Sequence, residues 1–215
     1  MDILSQFISL FHKGGPVMYL LVLCSMAVIT IATERFLYYR TMSTDTQAFL
    51  TKLQPLLERQ KVTEAVQLCE KTPKVINQVA LEGLRAHQRG SSVENALESA
   101  AQLSAARLRE SLNYLSTIVT LSPLFGLLGT VIGMINAFSI FNMQAGQPMA
   151  ITGGVGEALI ATATGLSVAV MALLFHTYFC HRLDKFVTDI EQVCAMMVNF
   201  LLTKKSLRRE QHEIA

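Results

Sequence analysis

The sequence predicts an all-α membrane protein with three transmembrane helices and long cytoplasmic helical extensions. Charged residues make up only 16% of the 215 residues, against about 25% in a typical soluble domain. They are also unevenly distributed, because Glu157 is the only Asp, Glu, Lys or Arg between Glu110 and Arg182. A hydrophobic fraction of 51% excludes a disordered chain. A net charge of +2 without a basic stripe argues against a nucleic-acid-binding protein.

Three stretches are long and apolar enough to span a bilayer core of about 30 Å, which requires roughly 20 helical residues. They lie at 16–33, 115–141 and 157–180. A cleaved signal peptide is the alternative for the first stretch, but its apolar core is longer than the usual length of about 7–15 residues. The spans separate a periplasmic N-terminal segment, a cytoplasmic helical region, a periplasmic loop and a cytoplasmic helical tail, at 1–15, 34–114, 142–156 and 181–215.

The distribution of Lys and Arg predicts the orientation of these spans, because loops rich in them stay in the cytoplasm. Of the 18 such residues, one precedes the first span and eleven lie between the first and second. None lies between the second and third spans, and six follow the third. The N-terminus and the loop 142–156 are therefore expected outside, and the middle segment and tail inside.

The cytoplasmic region is predicted to contain short helices followed by one long helix. Ser91 and Glu94 have the spacing of a capping box, and nothing stops a helix from there until Pro123, inside the second span. The third span is expected to continue as a helix to about Leu202. Its apolar stripe between residues 183 and 201 must pack on the long second helix or on neighbouring subunits.

Glu157 is the candidate functional residue of the membrane segments. An ionisable side chain in hydrocarbon is costly and normally faces a bundle interior or an ion path. A carboxyl group in that position can take up and release a proton, as a proton relay requires. The alternative is a capping role at the outer interface, since Glu157 follows the glycine-rich run 153–156 and the first turn of a helix favours an anion.

Small residues and hydroxyl groups accompany this carboxyl group. Thr164 shares the helix face of Glu157 to within about 20°, whereas Thr162 lies about 140° away. Stripes of small residues let membrane helices approach closely. We expect the two helices to bring together an ion path lined by Thr130, Glu157, Thr162 and Thr164. Helix packing without conduction is the alternative. The stripes consist of Gly126, Gly129, Thr130, Gly133 and Ala137 in the second span, and Ala158, Thr162, Gly165 and Ala169 in the third.

We expect no enzymatic activity, no cofactor and no metal site. The sequence Gly154-Val155-Gly156 lacks the third small residue and the preceding strand of a dinucleotide-binding loop. Nucleophile-elbow and zinc-protease motifs are also missing from the sequence. An intramembrane hydrolase that uses Ser122 and His176 is the weakest of the alternatives.

Two membrane stretches resemble the signature motifs of the MotA/TolQ/ExbB proton-channel family. They are GLLGTVIG at 126–133 and EALIATATGL at 157–166. The Glu34-Arg35 pair that closes the first span is also similar to the family pattern. Length, three spans and an outside N-terminus are similar to the ExbB/TolQ branch, not to the four-span MotA proteins.

The resemblance implies a homopentamer in the bacterial inner membrane, with a pore formed by the second and third helices. A dimer of a single-span ExbD- or TolR-like partner would lie inside it, and proton flow would drive work on a TonB- or TolA-like protein. Glu157 corresponds to the family glutamate, Thr162 to the threonine five residues later, and Thr130 to the second-helix threonine. Sodium is an alternative ion, the periplasmic client stays open, and a non-conducting scaffold is the alternative function.

Overall fold

The computed structural model describes residues 15–43, 45–72, 74–143 and 148–213. These residues form helices and contain no strand, which confirms the predicted all-helical fold. The six helices, numbered here in chain order, are α1 Val17–Met42, α2 Thr46–Glu58, α3 Val62–Glu70, α4 Val75–Gln88, α5 Val93–Met143 and α6 Pro148–Glu213.

Helices α1, α5 and α6 are long and apolar enough to cross a membrane. The protein is therefore a membrane protein with three candidate membrane-spanning helices, as the sequence predicts. Each of these helices continues beyond its apolar stretch: α1 extends to Met42 and α6 to Glu213, past the predicted end near Leu202. Within these helices no glycine or proline follows either apolar stretch, so neither of the two strongest helix breakers stops them.

The predicted outer loop 142–156 is shorter in the structure, because α6 already begins at Pro148. Proline fits the first position of a helix, where its missing N–H group costs nothing. The glycines that suggested a loop are helical, and a methyl group added at Gly154 would lie 3.0 Å from the Cα atom of Ala137 on α5. Contact with a second helix thus explains why this glycine-rich segment is ordered as a helix.

Helix α5 begins one residue later than the predicted capping box. The backbone N–H of Asn95 donates a hydrogen bond to the Ser92 hydroxyl at 3.4 Å, which identifies Ser92 as the N-cap. The Ser91 hydroxyl instead donates to the carbonyl of Ala86 at 3.1 Å. Glu94 therefore lies in the first turn, where its charge complements the helix dipole.

The chain divides into two compact units, which we describe separately. The membrane unit comprises Met1–Arg35 and Ser111–Phe179, and the second unit comprises Phe36–Glu110 and Cys180–Ala215. The division follows the charge pattern of the sequence. Among the described residues of the membrane unit, the only Asp, Glu, Lys and Arg residues are Glu34, Arg35 and Glu157.

Most of the apolar stripe of α6 is buried inside the second unit. The Phe186 ring lies 5.6 Å from the Tyr39 ring, measured between centroids, and the Tyr39 hydroxyl donates to the carbonyl of Leu108 at 3.0 Å. A methyl group added at Gly83 of α4 would lie 3.1 Å from the Cε atom of Met197. Much of the stripe is thus covered by its own chain, and its buried members are Leu183, Phe186, Ile190, Val193, Met197 and Leu201.

Two thiols in the second unit lie in surroundings that disfavour ionisation. Burial raises the pKa of Cys69 to about 12, and the neighbouring Glu70 carboxylate adds to the rise. Burial and the Glu191 carboxylate likewise raise the pKa of Cys194 to about 11. In an unfolded chain, both thiols would ionise near their ordinary pKa of about 8.5.

We therefore predict that iodoacetamide at pH 8 alkylates Cys69 and Cys194 much more slowly in the folded protein than in denaturant, because the thiolate is the nucleophile. The free energy of unfolding should also fall as the pH rises above about 8.5, because only the unfolded state then loses these protons. Mass spectrometry after a short alkylation pulse measures the rates. Equal rates for Cys69 in the folded and denatured protein would contradict the prediction.

Candidate functional site

Helices α5 and α6 are in direct backbone contact within the membrane unit. A methyl group added at Gly165 of α6 would lie 2.6 Å from the carbonyl oxygen of Ser122 and 2.9 Å from the Cα atom of Gly126 on α5. A methyl group added at Gly126 would lie 3.1 Å from the Cα atom of Thr162. Any larger residue at these glycines would push the two helices apart.

The contact continues through a second set of small residues. A methyl group added at Gly133 would lie 3.1 Å from both the Ala158 Cβ atom and the Gly154 carbonyl, and one added at Gly129 would overlap the Cβ atom of Ala161. Ala169, which belongs to the predicted stripe, is buried. The sequence pattern missed Gly154 and Ala161. The α5–α6 interface thus consists of Gly126, Gly129, Gly133 and Ala137 with Gly154, Ala158, Ala161 and Gly165.

Replacing Gly165 by alanine should destabilise the protein by about 1–3 kcal/mol, because the added methyl group meets backbone atoms that cannot rotate away. Gly153 of the same helix has no atom within 4 Å of an added Cβ, so Gly153→Ala is the matched control. We expect the control to be neutral or stabilising by up to about 1 kcal/mol, since glycine disfavours helices. Thermal unfolding of the purified proteins in detergent measures both effects. Equal stabilities of the two variants would argue against the tight interface.

The three threonines predicted for the ion path make different hydrogen bonds. The Thr162 hydroxyl donates across the interface to the carbonyl of Gly126 at 3.2 Å. Thr130 donates to Leu127 of its own helix at 2.6 Å, and Thr164 donates to Ile160 at 2.8 Å. Within one chain, therefore, these hydroxyls bind backbone carbonyls, and only Thr162 links two helices.

Thr162→Val keeps the size of the side chain but removes the interhelical hydrogen bond, so we expect a loss of about 1 kcal/mol in unfolding free energy. Thr164→Val is its control, because the Thr164 hydroxyl bonds only to its own helix, whose carbonyl keeps its backbone partner. The control should change stability by less than about 0.5 kcal/mol. Denaturation with sodium dodecyl sulfate in mixed micelles compares them, and a larger loss for Thr164→Val would be inconsistent with this assignment.

Glu157 lies at one edge of the face that α6 presents to α5. Around the axis of α6, at 100° per residue, Glu157 is rotated by about 70° from the mean direction of the interface residues. Thr162 is rotated by about 70° in the opposite sense. Thr164 lies on the same side of the interface as Glu157. The structure thus brings Glu157 and Thr164 to one side of the interface and leaves Thr162 on the opposite side.

The capping alternative for Glu157 is wrong, because α6 begins nine residues earlier at Pro148 and the dipole effect decays within the first turn. The side chain of Glu157 is half-buried. Among the described residues, no hydrogen bond or ion pair reaches its carboxylate. As far as the described residues are concerned, its oxygens are therefore available to a proton.

The start of α1 lies against the Glu157 side chain. A Cβ atom added at Gly15 would overlap the Glu157 Oε1 atom and lie 3.1 Å from its Cδ atom. Gly15 also has a φ of +69°, in the left-handed region that favours glycine. Sequence reasoning missed this contact, and its only local signal is the glycine immediately before Pro16.

At the other end of the membrane part of α1, Arg35 is buried and connects two helices. Its Nε atom lies 2.9 Å from the Oε2 atom of Glu34, and its Nη2 atom donates to the hydroxyl of Ser111 on α5. A guanidinium group in this position needs several partners to offset its lost hydration. The pair that closes the first span therefore fixes α1 to α5.

The weakest alternative, a hydrolase using Ser122 and His176, lacks the geometry within one chain. Ser122 is fully buried beside Gly165. His176 is eleven residues further along α6, which corresponds to about 16 Å of helix rise. A nucleophile and its base must lie within hydrogen-bond reach of each other.

These features define a class: a helical membrane protein whose membrane unit has a tight small-residue interface with the half-buried carboxyl group of Glu157 at its edge. Residues 71–192, more than half of the chain, match the MotA/TolQ/ExbB proton channel family. The chain belongs to this family, which confirms the resemblance of its two membrane motifs.

Relatives place the chain with the ExbB and TolQ proteins. The ExbB-like 1 protein of Synechocystis sp. is 36% identical over 171 residues, which are 76% of this chain and 66% of the relative. The ExbB homolog of Methanothermobacter thermautotrophicus is 28% identical over 88% of this chain and 68% of its own length. The Tol-Pal system protein TolQ of Pseudomonas aeruginosa is 34% identical over 44% of this chain and 42% of its own. The chain thus spans about two thirds of the first two relatives.

Proposed function

We propose that the protein is the proton-channel subunit of a stator complex that converts the proton-motive force into mechanical work on a periplasmic or outer-membrane partner. The observation that carries this proposal is the Glu157 carboxylate. It is half-buried in a membrane helix, has no partner among the described residues, and lies in a chain of the MotA/TolQ/ExbB proton channel family. Such intramembrane carboxyl groups normally belong to ion paths.

Proton transfer that drives movement requires a second titratable group. The membrane unit offers no further Asp, Glu or Lys among its described residues apart from Glu34, which is ion-paired with Arg35. We propose that a single-span ExbD- or TolR-like partner dimer, held inside a ring of five copies of this chain, supplies it. One charge that crosses 100 mV gains about 2.3 kcal/mol, which is enough for repeated transfers to drive a stepwise rotation.

The proposed complex lies in the bacterial inner membrane, with the N-terminus in the periplasm and the C-terminus in the cytoplasm. The Lys and Arg distribution supports this orientation. A TonB- or TolA-like protein would receive the work. Relatives named biopolymer transport protein ExbB and Tol-Pal system protein TolQ support energised transport or envelope maintenance. We propose proton transport without enzymatic activity or a cofactor, and the hydroxyl groups near the carboxylate keep sodium as an alternative ion.

Glu157→Gln should leave assembly intact and lower proton flux by about a hundredfold or more, because the amide cannot accept and release a proton. The measurement is dye-reported proton uptake into proteoliposomes that contain the protein and its partner, under an imposed membrane potential. Glu191→Gln, the same chemical change at an exposed position of the same helix, is the matched control and should conduct normally. Repeating the assay with sodium as the only gradient identifies the ion.

Normal flux and normal energised function in Glu157→Gln would refute the channel proposal. That result would favour the second candidate, a non-conducting membrane scaffold that recruits partners through its cytoplasmic helices. Under the scaffold hypothesis, damage should come instead from deleting residues 183–201, which carry the apolar stripe of α6.

A further inference from the structure

We propose that Gly15 is a positioning residue for Glu157: the backbone at the start of α1 holds the carboxyl group in the conformation from which it exchanges its proton. The inference rests on the proposed function, because the proton concerned is the one bound by Glu157. It assigns a role at the site to α1, a helix to which the family resemblance gives no part in the pore.

The contact involves the side chain of Glu157 and the backbone of Gly15. The three atoms closest to a Cβ added at Gly15 all belong to Glu157: its Oε1 atom, which would be overlapped, its Cδ atom at 3.1 Å and its Cγ atom at 3.6 Å. The carboxyl group therefore occupies the space that any other residue at position 15 would fill. A bare glycine backbone is what allows α1 to limit the conformations of this side chain.

Two independent requirements favour glycine at this position. The backbone has a φ of +69°, which other residues adopt only at a cost, and the carboxyl group fills the Cβ position. Gly90 has only the first of these requirements, because its φ is +72° but a Cβ atom there would meet nothing within 4 Å. An alanine at Gly90 thus has the same backbone penalty without the contact.

The substitution Gly15→Ala should move the carboxyl group and leave the helices in place. The obstructing atoms are the flexible end of a side chain, which can rotate to another staggered conformation. The interface residues Gly154 and Ala158 flank Glu157 but point to an adjacent face of α6, so the α5–α6 interface would keep its contacts. The variant should therefore assemble normally with a displaced carboxyl group.

Few other charged groups occur among the described residues of the membrane unit. Among the described residues of the membrane unit, the other charged or titratable groups are Tyr19, Cys24, Glu34 and Arg35 on α1, Tyr114 on α5, and His176 and Tyr178 on α6. Glu34 lies 19 residues after Gly15 and His176 lies 19 residues after Glu157, each about 28 Å of helix away.

The test compares Gly15→Ala with Gly90→Ala in the full-length protein reconstituted with its partner. Gly15→Ala should lower proton flux by about tenfold or more, as expected for a misplaced reacting group, and Gly90→Ala should match the wild type. The shorter side chain of Glu157→Asp withdraws from the methyl group that Gly15→Ala adds. The double variant should therefore lose less proton flux than the product of the two single-variant losses. Size-exclusion chromatography checks that each variant assembles.

A second readout does not depend on transport: the rate at which a hydrophobic carbodiimide labels the Glu157 carboxyl group. It should change in Gly15→Ala and stay at the wild-type value in Gly90→Ala. Equal labelling rates in these two variants would overturn the inference, whatever happens to flux. If the labelling rate changes in Gly15→Ala but Glu157→Gln conducts protons normally, the positioning contact is supported and the channel function is rejected.

Discussion

The membrane unit depends on the direct contact of two backbones at the α5–α6 interface. Hydrophobic side chains cannot hold helices together in lipid, because the surrounding acyl chains are equally apolar. Glycine and alanine bring the carbonyl oxygen of Ser122 next to Gly165, so that dispersion contacts accumulate along the interface. The Thr162 hydroxyl adds one polar link to the carbonyl of Gly126. The same contact sets which face α6 presents to α5 and thereby places Glu157 at the edge of that face.

The membrane part of the fold was predictable from the sequence because hydrocarbon imposes severe constraints. The absence of charge over long stretches indicated three helices, and the single exception identified Glu157. Small residues at helical spacing identified one side of the α5–α6 interface almost completely. Their partners Gly154 and Ala161 were missed, since Gly154 was assigned to a loop and Ala161 lies off the stripe chosen for the third span.

Other features were not predictable because they depend on distant parts of the chain. The contact between Gly15 and Glu157 joins the start of the first membrane helix to the last one, and no local sequence pattern predicts it. The start of α6 at Pro148 depends on the packing of Gly154 against α5, which overrides the tendency of glycine-rich segments to form loops. The hydroxyl of Thr162 faces Gly126 because that glycine leaves its carbonyl accessible, a property of the partner helix.

The position of Glu157 at an edge of the interface separates the packing face of α6 from its carboxyl group. The face with Ala158, Ala161 and Gly165 packs tightly against α5. A carboxyl group at the centre of that face could change its protonation only by prising the helices apart, at the expense of all those contacts. At the edge of the face, the carboxyl group can gain or lose a proton while α5 and α6 keep all of these contacts.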